Sequence, residues 1–257
     1  MIEPLLADDA FLEDVDAALD EPGVLVWWLG QSGFLIGSGG RFLLVDPYLS
    51  DSLTEKYAGT GTPHERLTRR VVAPERLSFV DAVASTHAHT DHLDPETLRA
   101  VLSGGGMLVC PAGIAQLARE RSGAEPVVVG DGETVAAAGF RLTAVSARHP
   151  GPHCVGYLIE AGGRRIYHSG DTEPVDPGLL EVELALLPIN GMLNNLDGAE
   201  AAALARLVGA RLTVPCHYGM FAFNTASPEL FVAECGRLGQ AHRLLRAGER
   251  LTLPGSE

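Results

Sequence analysis

Three histidines and an aspartate fall within six residues of one another, in the pattern H-x-H-x-D-H. They are His87, His89, Asp91 and His92. Imidazole and carboxylate groups are the ligands that proteins offer to divalent Zn, Mn and Fe ions. A chance cluster on a solvated loop is the alternative, but it does not explain why three of the chain's 9 histidines lie in this short segment. The pattern therefore predicts a metal site.

Three further candidate ligands occur later in the chain, each just after a predicted strand. They are His149, Asp171 and His217. Taken singly, each has a plain alternative as a solvent histidine, a turn aspartate or a hydrogen-bonded core histidine. Their common position favours a shared role, because catalytic loops gather at one edge of a sheet. We expect these three residues to complete the metal site.

The first cluster is positioned by a predicted junction between a strand and a helix. Residues 79–85 are predicted to form a strand, and Asp94 precedes a predicted helix that runs to about residue 102. Asp94 is a typical N-cap, and Pro95 suits the first helical position. His87 and His89 are two residues apart, so they are expected to project in the same direction. The other two members of the cluster lie on the turn.

The apolar pattern predicts the remaining elements. Helices are predicted at residues 9–20, 114–121, 199–208 and 228–238. Single strands are predicted at residues 24–29, 34–36, 42–45, 107–110, 127–129, 182–188, 212–215 and 243–253, and hairpins at 134–145 and 155–167. Residues 47–77 have no regular pattern, which predicts a lid-like loop.

These elements predict an α/β fold in one domain that spans residues 1–257, with an N-terminal helix and tail at 1–22. Hairpins are followed by strand–helix units in the first half of the chain, and the second half repeats that order. Two such halves favour an αββα four-layer sandwich, in which two mixed β-sheets pack together with helices outside.

Composition limits the class of partner. The formal net charge is −14, and Lys56 is the only lysine. Such an acidic protein repels phosphate backbones and anionic lipids, so neither nucleic acid nor membrane is expected as a partner. A small-molecule substrate is expected, and an anionic one stays open because a bound metal ion would dominate the local field. A homo-oligomer also stays open.

The expected location is cytoplasmic. The four cysteines contain no CxxC pair, which fits reduced thiols better than a disulfide framework. The first residues are acidic and lack the basic region of a signal peptide. No apolar run approaches the ~20 residues that a membrane-spanning helix requires.

The order of the candidate ligands resembles the ligand series of metallo-β-lactamase-fold hydrolases, over a match from about residue 24 to the end of the chain. Within that superfamily the chain is most similar to the L-ascorbate-6-phosphate lactonase-like branch. The flanking segments that carry this similarity are Val26–Gly33, Thr86–Asp94, Tyr167–Thr172 and Pro215–Tyr218. The resemblance implies the αββα sandwich and a metal-dependent hydrolase with one or two divalent ions, either Zn, Mn or Fe.

The resemblance also implies a role for each candidate ligand. It assigns His87, His89 and His149 to one ion, Asp91, His92 and His217 to a second, and Asp171 to a bridge between the two. Asp46, after the predicted strand 42–45, would fix the geometry of the histidine loop; a plain turn aspartate before a proline is its alternative. The sugar-phosphate lactonases carry a carboxylate near the place of His149, so the number of ions stays open.

The function that these residues predict is hydrolysis by metal-activated water, with Asp91 and Asp171 as catalytic residues. The expected substrate is a small lactone or ester, with a sugar-phosphate lactone as one candidate. A phosphodiesterase of the cyclic nucleotide type and a non-catalytic metal-binding protein are the alternatives. The candidate substrate contacts are Asn190, Tyr218, Arg69, Arg70 and His64. The alternative for Arg69, Arg70 and His64 is a solvated side chain, and the alternative for Tyr218 is a packing role.

Overall fold

The computed structural model describes residues 1–151 and 153–255. Within them, the α-helices are α1 (Asp8–Ala17), α2 (Ser52–Lys56), α3 (Pro95–Leu102), α4 (Ala115–Ser122), α5 (Gly198–Leu207) and α6 (Glu229–Leu238). The strands are β1 (Val24–Gly30), β2 (Gly33–Ser38), β3 (Arg41–Val45), β4 (Ala82–Ala84), β5 (Met107–Pro111), β6 (Val127–Val129), β7 (Thr134–Ala137), β8 (Phe140–Ser146), β9 (Val155–Ala161), β10 (Arg164–His168), β11 (Leu184–Pro188), β12 (Leu212–Cys216) and β13 (Arg250–Leu253). Short 3-10 helices lie at Pro74–Leu77 and Ala112–Ile114.

The strands form two mixed sheets. The first has seven strands in the order β13-β1-β2-β3-β4-β5-β6, and the second has six in the order β12-β11-β10-β9-β8-β7. Strands β3 to β6 are parallel to one another, as are β10 to β12. Strand β8 is antiparallel to β9, which is antiparallel to β10, so β8 and β10 run in the same direction. The loops after β8, β10 and β12 therefore leave one edge of the second sheet.

The two sheets pack face to face and are covered by helices on their outer faces. Phe34 and Ile159 belong to the buried apolar core between the sheets. Phe11 of α1 and Leu98 of α3 pack with the outer face of the first sheet. Phe231 of α6 packs with α5 and the outer face of the second sheet. The predicted αββα sandwich is confirmed, because each sheet buries apolar side chains on both faces.

Two predicted strands are shorter than expected. In the predicted strand 243–253, only β13 pairs with β1. The preceding residues form a turn in which the Glu249 amide donates to the Arg246 carbonyl at 2.9 Å, and Gly248 has a φ of +79°. Strand β4 begins three residues later than predicted, because the Val80 amide closes a turn onto the Leu77 carbonyl at 3.0 Å.

The predicted lid, residues 47–77, contains α2 and one 3-10 helix and is otherwise irregular. It is held by backbone hydrogen bonds to distant parts of the chain. The Leu67 amide donates to the Met220 carbonyl at 2.7 Å, and the Ile2 amide donates to the Leu67 carbonyl at 2.6 Å. The segment therefore lies against the loop that follows β12. Its opening and closing as a lid stays a prediction.

Within residues 1–151 and 153–255, none of the helices combines the length and the apolar character needed to cross a lipid bilayer.

Candidate metal centre

All seven predicted ligand residues lie together at the edge where the strands of both sheets end. The loop after β4 supplies four of them, and the loops after β8, β10 and β12 supply one each. They form two groups in which candidate ligand atoms lie within 4.8 Å of one another: His87, His89, His149 and Asp171 in one group, and Asp91, His92 and His217 in the other. Residues up to 130 positions apart thus meet at one place.

Asp171 lies between the two groups. Its Oδ1 is 3.3 Å from Nε2 of His92, and its Oδ2 is 3.3 Å from Nε2 of His217. The same Oδ2 is 3.6 Å from Nε2 of His149, which belongs to the other ligand group. The carboxylate therefore faces nitrogen atoms of both groups, which is the position required of a bridging ligand.

Buried polar atoms without partners test whether these residues fit a metal ion. Within the described residues, Nε2 of His87 is buried without a partner, and Nε2 of His92 and Oδ1 of Asp171 are buried and have only each other, at 3.3 Å, without hydrogen-bond geometry. Such atoms are rare because an unpaired buried polar group costs free energy. Here all three are potential ligand atoms in a cluster of imidazoles and carboxylates, the chemistry that suits Zn, Mn or Fe. The residues fit one or two divalent ions.

Asp46 holds the loop after β4 by three hydrogen bonds. It is fully buried, its Oδ1 accepts from the Thr86 amide at 2.8 Å, and its Oδ2 accepts from the Thr86 hydroxyl at 2.6 Å. Oδ2 also accepts from Nδ1 of His92 at 2.7 Å, which turns Nε2 of that ring towards Asp171. Nδ1 of His87 lies 3.0 Å from the same Thr86 hydroxyl. Asp46 thus orients two candidate ligands, directly or through Thr86.

Gln31 is a buried residue of the centre to which the sequence analysis assigned no role. It lies in the turn between β1 and β2 with a φ of +50°, and its Nε2 donates to Oδ2 of Asp91 at 2.8 Å. The same nitrogen lies 3.1 and 3.3 Å from the two ring nitrogens of His217. This turn is at the same edge as the end of β3, because Phe34 pairs with Val45. The sequence signal that could have pointed to Gln31 is its position as a polar residue in a hairpin turn between two apolar strands.

Burial and close charges change the protonation of the metal-free centre. Burial lowers the pKa of His87 well below its usual range, so this imidazole is neutral. Burial would also lower the pKa of His217, but the carboxylates of Asp171 and Asp91 raise it to about 9. Burial would raise the pKa of Asp171, but His217 and His92 hold it well below its usual range. Without metal, the centre is therefore an ionic cluster of carboxylates and protonated histidine.

A cavity of about 230 Å³ opens onto the centre. Its candidate ligands are His89, Asp91, His149 and Asp171, and the rest of its lining is Leu53, Lys56, Tyr57, His64, Ala88, Thr90, Arg121, Leu193, Phe221 and Asn224. The predicted lid supplies the first four of these other lining residues. His64, which was predicted to contact the substrate, is thus placed beside the centre.

Arg69 and Arg70, two of the candidate substrate contacts, lie outside this lining. Arg69 forms ion pairs with Glu3 at 2.7 Å and Asp8 at 3.0 Å. Arg70 donates from Nη1 to the Leu49 carbonyl at 3.2 Å. Both guanidinium groups are engaged by other parts of the chain.

The other two predicted substrate contacts also lie outside the cavity lining. Tyr218 follows His217, but its ring stacks on Trp28 with centroids 5.2 Å apart. Asn190 is buried behind the wall, where its Nδ2 donates to Oδ1 of Asn224 at 2.7 Å. Asn224 is the residue of this pair that lines the cavity. Packing explains the position of Tyr218, and Asn190 supports a lining residue.

Comparison with known proteins agrees with the fold and with the His and Asp cluster. A family model described as a β-lactamase superfamily domain matches residues 41–218, the range that contains all seven candidate ligands. The chain therefore belongs to the metallo-β-lactamase superfamily. More narrowly, it is 31% identical over 242 residues to a UPF0173 metal-dependent hydrolase of Thermus thermophilus, covering 90% of this chain and 99% of that protein. It is a member of this UPF0173 family of metal-dependent hydrolases.

Solved structures share the fold at lower sequence identity. Igni18, a metallo hydrolase from the archaeon Ignicoccus hospitalis, has a TM-score of 0.70 and 23% identity, covering 91% of this chain and 99% of that one. An isothiocyanate hydrolase from Delia radicum gut bacteria has a TM-score of 0.73 and 20% identity, covering 90% and 100%. None of these relatives is called a lactonase, so the similarity to the ascorbate-6-phosphate lactonase-like branch stays a prediction.

Proposed function

We propose that this metal-dependent hydrolase acts on a small lactone or ester, including lactones of sugar phosphates. The observation that supports the proposal is the cluster of seven imidazole and carboxylate side chains, four of which line the cavity. The cavity volume of about 230 Å³ lies below the range of about 300–1,000 Å³ that is typical for drug-sized ligands. A compact substrate suits this volume.

The proposed roles follow from the two groups of ligands. One ion would be held by His87, His89 and His149. A second ion would be held by Asp91, His92 and His217, and Asp171 would bridge the two. A bound divalent ion lowers the pKa of a coordinated water towards about 7 and polarises a carbonyl oxygen.

If only the first group holds an ion, Asp91 is the proposed residue that orients the attacking water and accepts its proton. Its side chain lines the cavity and is 15% exposed, so a water molecule can reach it. Burial opposes its ionisation, but His92 and His217 keep its pKa low, so it is a carboxylate at neutral pH. Gln31 donates to its Oδ2 at 2.8 Å and leaves Oδ1 for the water.

The test compares the metal-loaded protein with Asp91→Asn and His89→Ala variants on a panel of simple lactones and esters. We expect turnover by the parent protein, loss of that turnover with a chelator, and a fall in kcat/KM of about 100-fold or more in each variant. Metal content is measured for each sample by elemental analysis. Undiminished metal content and turnover in both variants would contradict the proposal.

A cyclic nucleotide type of phosphodiesterase is the second candidate. The two adjacent groups of ligands favour it, because two-metal sites suit displacement at phosphorus. A chromogenic phosphodiester in the same panel separates the two candidates: faster diester than lactone hydrolysis would favour phosphodiesterase. Metal binding without turnover of any substrate in the panel would instead favour a non-catalytic metal-binding protein.

A further inference from the structure

The cavity beside the metal centre carries cationic and aromatic side chains that the proposed hydrolysis does not require. Lys56 and Arg121 are its cations, and Tyr57, His64 and Phe221 are its aromatic residues. Two of the centre's carboxylates also line the cavity, but they belong to the metal site, where a divalent ion would offset their charge. The additional cations need a separate explanation.

Lys56 is the only lysine in a chain with a formal net charge of −14, and it lines this cavity. It forms no ion pair within the described residues, whereas many of the arginines do. Its Nζ lies 5.2 Å from the centre of the Tyr57 ring, within the range of a cation–π contact. This contact holds the ammonium group against the cavity wall without neutralising its charge.

Arg121, at the end of α4, is the second cation of the cavity. Its Nη1 donates to the Ala88 carbonyl at 2.7 Å and to the Leu93 carbonyl at 3.1 Å, which fixes the guanidinium against the loop after β4. These are the only hydrogen bonds of the Arg121 side chain to the described residues, and it forms no ion pair with any of them. Asp94 acts electrostatically on this half-buried guanidinium without forming an ion pair with it, so an anion that enters the cavity would stabilise the charge further.

The aromatic residues form a wall next to Lys56. The His64 ring stacks on Tyr57 with centroids 4.3 Å apart and contacts Phe221 edge-on at 5.2 Å. Nδ1 of His64 lies 2.9 Å from the Thr62 carbonyl, which can only accept, so Nδ1 carries a proton. Nε2 is then free to bond a polar group in the cavity. The wall therefore offers polar atoms, among them this nitrogen, beside its apolar ring faces.

We propose that this cavity binds an organic anion: the substrate carries a carboxylate or phosphate group that Lys56 and Arg121 bind. This anionic group is separate from the bond that is hydrolysed. This inference rests on the proposed hydrolysis and narrows its substrate class. A flexible ammonium and a fixed guanidinium both suit an oxyanion. The small volume of the cavity keeps the anionic group close to the metal centre.

The test uses two matched substrates: a γ-lactone with a ring carboxylate, and the same lactone with a neutral carboxamide. Lys56→Gln is the main variant, because Lys56 is exposed and its side chain forms no hydrogen bond within the described residues. We expect its kcat/KM for the anionic lactone to fall about 10-fold, mainly through KM, and that for the neutral lactone to change less than about 2-fold. Arg206→Gln, on the exposed face of α5, is the control.

The outcomes separate the two proposals. Equal loss with both lactones, or an unchanged KM for the anionic lactone in Lys56→Gln, overturns the anion site while hydrolysis stands. If the metal-loaded parent hydrolyses neither of these lactones nor any lactone or ester of the panel, the proposed function fails, and calorimetric titration with succinate and with inorganic phosphate then tests the anion site. Binding that weakens about 10-fold in Lys56→Gln supports the anion site. Binding of equal strength in both proteins, which the metal alone would explain, overturns it. The absence of any binding also overturns it.

Discussion

Two buried side chains hold the candidate ligands in place without belonging to either ligand group. Asp46 accepts a hydrogen bond from His92, and Gln31 donates one to Asp91. Both residues have a positive φ, +44° and +50°, in the tight turns that follow β3 and β1. A strained backbone is kept where the surrounding structure compensates for it, and such positions concentrate at functional sites.

Replacing Asp46 with asparagine is expected to weaken metal binding. The amide nitrogen of asparagine cannot accept from the Thr86 hydroxyl or from Nδ1 of His92, so the His92 ring loses its orientation. Loss of such a supporting contact commonly reduces metal affinity 10–100-fold. Metal titration at buffered free metal concentration measures this change, with Asp9→Asn, on the exposed side of α1, as the control. Equal affinity in the Asp46→Asn and control proteins would show that Asp46 is not needed for the site.

Replacing Gln31 with leucine is expected to reduce turnover more than metal content. The change removes the donor to Oδ2 of Asp91, and a hydrogen bond to a charged group contributes about 1.5–3 kcal/mol. We therefore expect kcat to fall roughly 10–100-fold, since 1.4 kcal/mol corresponds to a factor of 10. Gln116→Leu, on the exposed surface of α4, is the control. A fall in metal content without a fall in kcat per bound metal would refute this role.

At the level of elements, helix α3 fixes the loop that carries four candidate ligands. Asp94 caps the helix by accepting from the Thr97 amide at 3.2 Å, and its other oxygen accepts from the Ser52 hydroxyl at 2.9 Å. The Thr97 hydroxyl in turn accepts from the Leu49 amide at 2.9 Å. The helix cap is thus also a connection between the ligand loop and the first part of the predicted lid.

An Asp94→Ala variant should therefore lose both stability and metal affinity. Removal of an N-cap costs about 1 kcal/mol, and the lost contact to Ser52 adds to it. The control is Asp197→Ala, which removes the cap of α5, where Asp197 accepts from the Ala199 and Glu200 amides, each at 2.9 Å. Urea denaturation should show a lower free energy of unfolding in both variants, but metal titration should change only for Asp94→Ala. A similar loss of metal affinity in the control would refute the specific connection.

At the level of the whole molecule, the metal centre joins the two sheets. Asp46 and the loop after β4 belong to the first sheet, and His149, Asp171 and His217 follow strands of the second. In the metal-free protein, ion pairs between histidines and carboxylates take the place of metal bonds. The stability of the metal-free fold should therefore depend on pH in a way that the metal-loaded fold does not.

Metal-free protein is expected to lose stability as the pH rises from about 6.5 to about 9. Asp171 and Asp91 raise the pKa of His217 to about 9 against the effect of burial, whereas an unfolded histidine titrates near 6.5. A group with a raised pKa stabilises the fold below its unfolded value, and this contribution disappears as the pH passes the folded value.

Thermal unfolding of metal-free and metal-loaded protein, measured in parallel over this range, tests the expectation. Metal ligation requires neutral imidazole, so the loaded protein should lack this His217 contribution. Buried Cys110, whose pKa burial raises to about 12, affects both forms alike. Parallel curves for the two forms would contradict the expected difference.

The local sequence determined the fold class and the candidate ligands. Apolar periodicity located most strands and helices, and the Asp-Pro pair marked the start of α3. Each candidate ligand is recognisable because it follows the end of a predicted strand, both in the H-x-H-x-D-H segment and at the three later positions. The ends of the strands form the edge of the sheet, so a local pattern that locates the strands also locates this edge. The bridging position of Asp171 came from a resemblance, and its distances to His92, His149 and His217 agree with it.

Only the tertiary structure decided which polar residues surround that centre. Arg69 and Arg70 are in the predicted lid, yet the cations that line the cavity are Lys56 and Arg121. Arg121 is 33 and 28 residues from the two carbonyls of the ligand loop that it contacts, and its position depends on how α4 packs against α3. Gln31 contacts Asp91 from 60 residues away, and this contact likewise depends on how distant elements pack. Local pattern specifies an element, but long-range packing of elements specifies which side chains face one another.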